Sequence, residues 1–244
     1  MEVRVNGSPF AVIMRTPGAD RDLAAGFLLA EDVIRNSGEI GAIEHCADAD
    51  TAAEARGNTI NVTVLGDAVA RLDVRLGDRR QVMMTASCGL CGRRTIESLQ
   101  ARVSAVAGAW TVGAEVIASL PDRLRAAQAV FASTGGLHAA GLFDRSGALV
   151  ESAEDVGRHN AVDKIVGRTL LADRHPLDQC LLLVSGRTSF ELVQKALLAG
   201  LPLVAAVSAP SSLAVELAEE SGITLCGFVR GAAFNIYTHG ERIR

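Results

Sequence analysis

Residues 180–196, CLLLVSGRTSFELVQKA, decide the fold of the second half of this 244-residue chain. Five apolar residues are followed by a polar turn and then by a pattern typical of a helix. Similar apolar runs, again separated by helical patterns, lie at 203–207 and 224–229. Continuous apolar runs that alternate with helices indicate parallel strands covered on both faces. The sequence therefore predicts an α/β domain built around these three strands.

The region before this stretch fits the same architecture. The residues Asp144 to Gly147 predict a hairpin turn, and apolar periodicity predicts a helix from about Arg158 to Leu171. A weakly patterned stretch at 108–121 precedes them, and we place a domain boundary there. The α/β domain is accordingly predicted to span residues 111–244.

The first third of the chain mixes strands with a helix. A hairpin is predicted for residues 2–15, with Asn6-Gly7 at its turn. Asp20 can cap an amphipathic helix, and alternation of apolar and polar residues at 60–64 predicts a half-buried strand. We therefore predict an N-terminal α+β subdomain over residues 1–110, ending in a cysteine-containing loop and the helix that follows it.

Composition and charge exclude several classes of protein. The chain has 24 Lys and Arg against 28 Asp and Glu, a net charge of -4 that argues against a whole-chain grip on nucleic acid. The longest apolar run, 196–207, is interrupted by Gly200 and Pro202 and falls short of the ~20 residues that a membrane-spanning helix needs. The first ten residues resemble no export signal. We therefore expect a cytoplasmic protein, without a membrane or nucleic-acid partner, whose five cysteines stay thiols.

A pair of cysteines is the clearest chemical signal. Cys88 and Cys91 lie three positions apart between glycines, and Arg93 and Arg94 follow before a predicted helix. The helix dipole and the two guanidinium groups both favour thiolate. Lowering a thiol pKa from ~8.5 to ~7 needs about 2 kcal/mol, which these effects can supply together. The pair is thus a plausible nucleophile.

Spacing alone leaves four interpretations of this pair open. Structural zinc normally needs a second Cys/His pair, whereas Cys46, Cys180 and Cys226 are isolated. A dithiol oxidoreductase usually carries its pair early in a small βαβ unit, and here it follows about ninety residues of other structure. Incidental thiols in a glycine-rich turn are the third interpretation. Covalent sulfur or acyl chemistry on a thiolate is the fourth.

Polar turns follow each of the three predicted strands of the second half. In an open α/β sheet ligands bind at this edge, where strands lead into helix N-termini. Thr188 and Glu191 also match a capping box, so part of the first turn has a structural explanation. The turns together predict a site for a phosphorylated, nucleotide-bearing ligand, without any metal ion, in which Arg187 and Arg230 pair with phosphate. The predicted binding residues are Ser185, Arg187, Ser208, Phe228, Val229, Arg230, Gly231, Ala232 and Ala233.

The densest polar stretch of the chain is EDVGRHNAVDK at 154–164. Asn160 can cap the helix that begins there. No such role explains Glu154, Asp155, Arg158 or His159, and we add His159 to the predicted binding residues. His138, a lone histidine near a predicted strand, is expected to be a satisfied residue of the core or its rim.

Seven segments in this order make the chain resemble the formate dehydrogenase accessory sulfurtransferase family, FdhD. The resemblance covers nearly the whole chain, and EDVGRHNAVDK is its most specific piece. The matching segments are RTPGADRDLAAGFLLAE (15–31), SCGLCGR (87–93), TGGLHAAGLFD (134–144), EDVGRHNAVDK (154–164), SGRTSFELVQKA (185–196), SAPSSLAVELAEE (208–220) and GFVRGAAFNIYTH (227–239).

The resemblance implies a cytoplasmic, homodimeric sulfur carrier. Such a protein takes sulfur from a cysteine desulfurase and delivers it to a molybdenum or tungsten bis-pterin guanine dinucleotide cofactor, before that cofactor enters formate dehydrogenase. The resemblance also implies a three-layer α/β/α fold like that of cytidine deaminases for the second half. A deaminase itself is disfavoured, because two alanines follow His138 where the general-acid glutamate should be.

With this function, Cys88 is expected to carry the persulfide and Cys91 to resolve it, although both lie beside the same arginines and the order could be reversed. The crevice of the second half is expected to bind the guanine dinucleotide end of the cofactor. GDP should then serve as a surrogate ligand for half of it.

Overall fold

The N-terminal part is built on a four-stranded sheet. A computed structural model describes residues 1–46, 57–79 and 110–244, with the side chains of 77–79 left aside. The strand order is β2-β1-β4-β3, in which β1 and β4 run parallel and the other neighbours antiparallel. The strands are β1 (Glu2–Val5), β2 (Ser8–Val12), β3 (Ile40–His45) and β4 (Thr59–Val64). Both turn residues between β1 and β2, Asn6 and Gly7, have positive φ, so the predicted hairpin and its turn are confirmed.

Two helices accompany this sheet, α1 (Asp20–Ala30) and α2 (Asp67–Arg79), with a short 3-10 turn at Ser37–Glu39. The prediction that Asp20 caps α1 is wrong, because Ala19 is the N-cap and no side chain caps the helix. Asp20 is buried instead and pairs with the guanidinium of Arg15, 2.8 Å away. An ion pair with the preceding turn has therefore replaced the local cap.

The second part contains a six-stranded sheet in the order β10-β9-β8-β7-β5-β6. Its strands are β5 (His138–Asp144), β6 (Leu149–Asp155), β7 (Cys180–Val184), β8 (Leu203–Ala206), β9 (Thr224–Arg230) and β10 (Ala233–Thr238). The strands β7, β8 and β9 are parallel, as the three apolar runs predict. Antiparallel strands flank them on both sides.

Helices cover both faces of the second sheet. They are α3 (Ala114–Ala126), α4 (Ala129–Thr134), α5 (Arg158–Leu171), α6 (Phe190–Leu198) and α7 (Ser212–Ser221), with a 3-10 turn at Gly240–Arg242. Leu181 and Leu183 of β7 share one buried cluster with α3, whereas Leu182 and Val184 share another with α5, α6 and α7. Alternate residues thus face opposite layers. The predicted α/β fold, with an α+β part followed by a three-layer domain, is confirmed.

The helix α1 of the N-terminal part packs directly on α5 of the second part. A β-carbon added to Gly26 would lie 1.9 Å from the carbonyl oxygen of Asp163, and one added to Gly167 would lie 1.8 Å from that of Asp22. The absence of side chains at both glycines permits this close crossing. One hydrophobic core therefore contains residues from both sides of the predicted domain boundary, which itself stays a prediction.

Candidate functional site

The loops predicted to bind a ligand lie at one edge of the six-stranded sheet. Because β5 runs antiparallel to β7, the start of β5 lies beside the end of β7. Ser185 fixes this junction: its Oγ accepts a hydrogen bond from the backbone N–H of Ala139, and its own N–H donates to the carbonyl of Ala139, both at 2.9 Å. The hydroxyl of Ser185 thus has a structural partner at the edge of the predicted site.

The loops after β7, β8 and β9 are joined by backbone hydrogen bonds. Thr188 donates to the carbonyl of Ala209 at 3.2 Å and accepts from the N–H of Ser211 at 2.9 Å. The N–H of Phe228 donates to the carbonyl of Ser208 at 3.2 Å. We call the space bordered by these loops and the first turn of α5 the crevice. The structure therefore brings the predicted segments of the second half to one edge.

The two predicted arginines differ in their surroundings. Arg187 is exposed and makes no hydrogen bond or ion pair with the described residues. Arg230 is also exposed, and its Nε donates to the carbonyl of Val207 at 3.2 Å. This bond lays the guanidinium across the end of β8 while its two terminal nitrogens keep their donors. Both arginines are therefore exposed at the edge of the sheet that borders the crevice.

The end of β9 has an unusual backbone. Phe228 has a φ of 55° and a ring that is 40% exposed, although a bulky residue rarely adopts a positive φ. Gly231 also has a positive φ. Val229, which lies between these two residues in the sequence, is buried. Ala232 and Ala233 are exposed at the start of β10. A strained, exposed aromatic residue beside Arg230 is the kind of feature that concentrates at binding sites.

His159 lies in the first turn of α5 and faces the neighbouring helix α6. Its Nε2 is 2.9 Å from the Oγ of Ser189 and 3.8 Å from the carboxylate of Glu191. Burial, followed by the positive charges of Lys195 and Arg158, lowers the pKa of His159 to about 3. The imidazole is therefore neutral at pH 7 and joins the first turns of the two helices by a hydrogen bond.

This neutral histidine should make stability depend on pH. In the unfolded chain the imidazole titrates near 6.5, so between about pH 3 and 6.5 only the unfolded state binds its proton. Stability must then rise with pH across this interval, by up to about 1.4 kcal/mol per pH unit. We expect His159→Gln to have a shallower slope than the wild type between pH 4 and 6.5, measured by denaturant unfolding. Equal slopes for both proteins would contradict the buried, neutral assignment.

The predicted caps at this edge are partly wrong. The helix α6 begins after Ser189 rather than Thr188, and no side chain caps it. Thr188 is 1% exposed, and its hydroxyl has no hydrogen-bond partner among the described residues. Asn160 lies inside α5, whose N-cap is Gly157. Only the helix α7 has a side-chain cap here, where Ser211 accepts from the N–H of Ala214 at 3.2 Å.

The amide of Asn160 belongs instead to a buried network around Asp155. The carboxylate of Asp155 lies 2.6 Å from the ammonium of Lys164 and accepts from Asn160 Nδ2 at 2.8 Å. It also accepts from the backbone N–H groups of Thr16 and Gly157 at 3.0 and 2.9 Å. Lys164 in turn donates to the carbonyl of Thr16 at 2.9 Å. This network ties the segment before α1 to the first turn of α5.

Glu154 also has a structural partner. Its carboxylate accepts hydrogen bonds from the backbone N–H groups of Val130 and Phe131, at 2.9 and 2.7 Å. These groups begin α4, where an anion is favourable. Glu154 and Asp155 are therefore used by the fold, whereas Arg158 has no hydrogen bond or ion pair with the described residues.

The sequence did not anticipate which residues surround Arg158. A β-carbon added to Gly186 would lie 3.4 Å from Arg158 Cδ and 3.4 Å from His138 Nδ1. These residues follow or begin three neighbouring strands, and only the pairing of β6, β5 and β7 brings them together. His138 is half-buried at this edge, and burial followed by the charge of Arg158 lowers its pKa.

The proposed thiol pair, Cys88 and Cys91, lies outside the described residues. The described cysteines include two that are poor thiolates. Burial raises the pKa of Cys226 to about 12 and also raises that of Cys180. Both therefore stay protonated at neutral pH and are unsuited to nucleophilic attack.

Comparison with known proteins decides the relationship that the seven segments indicate. The family model described as "FdhD/NarQ family" matches residues 1–244. The chain belongs to this family. It is 51% identical to the sulfur carrier protein FdhD of Streptomyces avermitilis, with 100% of this chain and 86% of the relative covered. It is 48% identical to the protein of that name from Mycobacterium tuberculosis, covering 100% and 89%.

The family fold is also found in a solved structure. A protein assigned as a formate dehydrogenase accessory protein from Desulfotalea psychrophila superposes with a TM-score of 0.75 at 25% identity, covering 100% of this chain and 87% of that one. The sequence comparison and the fold comparison thus support the same family. In the described part of the chain, no helix has the length and apolar character needed to cross a bilayer.

Proposed function

We propose that this protein is a cytoplasmic persulfide carrier that serves a formate dehydrogenase. It receives sulfur from a cysteine desulfurase and passes it to a molybdenum or tungsten bis-pterin guanine dinucleotide cofactor before the cofactor is inserted into the enzyme. The observation that carries this proposal is the relationship over the full length of the chain to proteins named sulfur carrier protein FdhD. The Cys88-x-x-Cys91 sequence supplies the thiols that such a carrier needs.

The chemistry of loading is a thiol exchange. The thiolate of Cys88 attacks the outer sulfur of the desulfurase's cysteine persulfide, forming a new S–S bond while the donor cysteine leaves as a thiolate. The thiolate of Cys91 can then attack Cys88 Sγ, which closes a disulfide and releases hydrosulfide toward the cofactor. A dithiol reductant must afterwards restore both thiols. Because Cys180 and Cys226 are poor thiolates, they do not compete for this role.

The crevice is the proposed binding site for the guanine dinucleotide end of the cofactor. Arg187 and Arg230 offer exposed guanidinium donors. Arg187 lies in the loop before α6, and Arg230 follows Phe228, whose ring is exposed, by two residues. Guanidinium groups bind phosphate through paired donors, and an exposed aromatic ring can stack on a base. A homodimer would present two such crevices, one for each nucleotide.

A cell-based activation assay separates this function from two others. In a strain that lacks its own carrier, Cys88→Ala should abolish formate dehydrogenase activity if the protein transfers sulfur. A chaperone that only binds the cofactor would still activate the enzyme without either cysteine. A dithiol oxidoreductase would reduce disulfides with turnover and would accept no sulfur from a desulfurase. Activity in Cys88→Ala and Cys91→Ala cells would therefore contradict sulfur transfer.

We expect GDP to bind the crevice through the two arginines. Removing one guanidinium that pairs with phosphate typically costs about 1.5–3 kcal/mol, or ~10- to 100-fold in affinity. Calorimetry should show this loss for Arg187→Ala and for Arg230→Ala, while persulfide loading of both variants stays intact. GDP affinity that is unchanged in both would remove the nucleotide from the proposed function and leave the thiol chemistry untouched.

A further inference from the structure

Arg158 carries an unpaired positive charge at the crevice. It makes no hydrogen bond or ion pair with the described residues, and its Nε is buried without an acceptor. Arg168, three turns along the same helix, shows the usual arrangement, because it pairs with Asp22 and Glu151 at 2.9 and 3.1 Å. A buried donor without an acceptor is costly and is rare in folded proteins. Among the described residues, the guanidinium of Arg158 therefore has neither a hydrogen-bond acceptor nor a counter-charge.

In the described ranges 1–46, 57–79 and 110–244, no carboxylate of the surrounding elements fills this role. Asp155 is held by Lys164, and Glu154 caps α4. Glu191 of α6 faces His159, at 3.8 Å. Uncharged neighbours at this point are His138 and Gly186, whose missing side chain leaves room beside Arg158. Among the described residues, the charge of Arg158 is thus left without a counter-charge.

The backbone at this point also favours an anion. Arg158 is the first residue of α5, a 14-residue helix with no side-chain cap and no acidic residue in its first turn. The N–H groups of such a turn have no partners within the helix, and the helix dipole adds positive potential there. Burial lowers the pKa of His138, which borders the same turn, and its ring can donate one hydrogen bond.

We propose that Arg158, His138 and the first turn of α5 form a phosphate-binding subsite of the crevice, distinct from Arg187 and Arg230. The assignment of the phosphate to a nucleotide rests on the proposed function. A pyrophosphate presents two adjacent charged groups, which can pair with more than one guanidinium. Arg158 adds a third guanidinium at the β5, β6 and β7 side of the crevice, and Arg230 lies at the β8 and β9 side.

Calorimetry with inorganic pyrophosphate, GDP and guanosine at fixed ionic strength tests this subsite. Arg158→Gln should bind pyrophosphate and GDP ~10- to 100-fold more weakly than the wild type, since it loses one phosphate-paired guanidinium. The matched control is Arg145→Gln, which removes the same charge from the hairpin at the opposite end of β5. It should bind both ligands as the wild type does. Guanosine, without phosphate, should not distinguish the variants.

The outcomes separate the subsite from the proposed function. Equal pyrophosphate affinity in Arg158→Gln and Arg145→Gln would overturn the subsite, even if Arg187→Ala weakens GDP. Loss of pyrophosphate binding in Arg158→Gln would support the anion subsite. If, in addition, neither the wild type nor any variant binds GDP more tightly than pyrophosphate, the assignment of the phosphate to a nucleotide is contradicted.

A second measurement uses only the wild-type protein, so it does not depend on whether a variant folds. Pyrophosphate titrated into the wild-type protein should shift the imidazole NMR signals of His138 and leave those of His175 in place. His175 serves as the control because its Nε2 lies 3.3 Å from the carbonyl of Leu198, at the far end of α6. Unshifted His138 signals at saturating pyrophosphate would overturn the proposal.

Discussion

Asp155→Ala is expected to lower the free energy of unfolding by about 3–5 kcal/mol. The side chain of Asp155 is fully buried, and that of its partner Lys164 is 4% exposed. Alanine would leave the ammonium buried without its counter-charge and three donors without an acceptor, including the N–H groups of Thr16 and Gly157. Denaturant unfolding measures the loss, which is large against the 5–15 kcal/mol that stabilises a typical protein.

A double-mutant cycle shows whether the loss of stability comes from the coupling between Asp155 and Lys164 or from damage to the fold around them. Lys164→Met alone should also be strongly destabilising, and the double variant should lose clearly less than the sum of the two single losses. The control is the partly exposed pair of Glu2 and Arg4, whose side chains are each 32% exposed and lie 2.7 Å apart. Glu2→Ala should cost at most about 1 kcal/mol. Additive losses for Asp155 and Lys164 would contradict a coupled buried pair.

The same network has a consequence for the crevice. It fixes Gly157, the N-cap of α5, and thereby the direction of the turn that carries Arg158 and His159. A folded but weakened Lys164→Met protein should therefore lose GDP affinity as well as stability. The buried ion pair connects the N-terminal part of the chain to the proposed binding site.

Sequence reasoning predicts the second half well because its signals are long and buried. The run 180–184 matches β7, and the predicted helix from Arg158 to Leu171 matches α5. The continuous apolar runs predict which strands are central in the sheet. The polar turns that follow these strands predict the edge of the sheet at which a ligand can bind. The flanking antiparallel strand β10 and the helix α2 are not anticipated, since both carry exposed apolar residues, such as Ile236 and Val74, that blur the pattern.

Helix caps are where local reasoning fails. Asp20, Thr188 and Asn160 all have the residue type and spacing of caps, and each is used differently in the fold. Asp20 pairs with Arg15, and Asn160 donates to Asp155. In both cases the partner lies five residues before the polar side chain, outside the helix. A capping bond is worth about 1 kcal/mol, so such a partner can replace it, and the residue types of a cap do not reveal this.

The candidate site shows the same division. Arg187 and Arg230 can be found from sequence because each follows an apolar run in a polar turn. Arg158 stands out only as a charge without an obvious role, and its neighbours His138 and Gly186 become visible when β5, β6 and β7 pair. Contacts between strands that are far apart in sequence create that part of the crevice.

Cys88→Ala is expected to abolish sulfur loading completely. Alanine removes the nucleophile that takes the outer sulfur from the desulfurase. Cys91→Ala should still accept sulfur on Cys88 and should fail to release it, because the second thiol closes the disulfide. The matched control is Cys180→Ala, since the raised pKa of this half-buried thiol makes it a poor nucleophile. It should load as the wild type does.

Mass spectrometry of the wild-type protein after incubation with a cysteine desulfurase and cysteine tests sulfur transfer most directly. We expect one added sulfur atom on the peptide that contains Cys88, and none in Cys88→Ala. The same added sulfur retained in Cys88→Ala, or absent from the wild type, would contradict the assignment of Cys88 as the persulfide carrier.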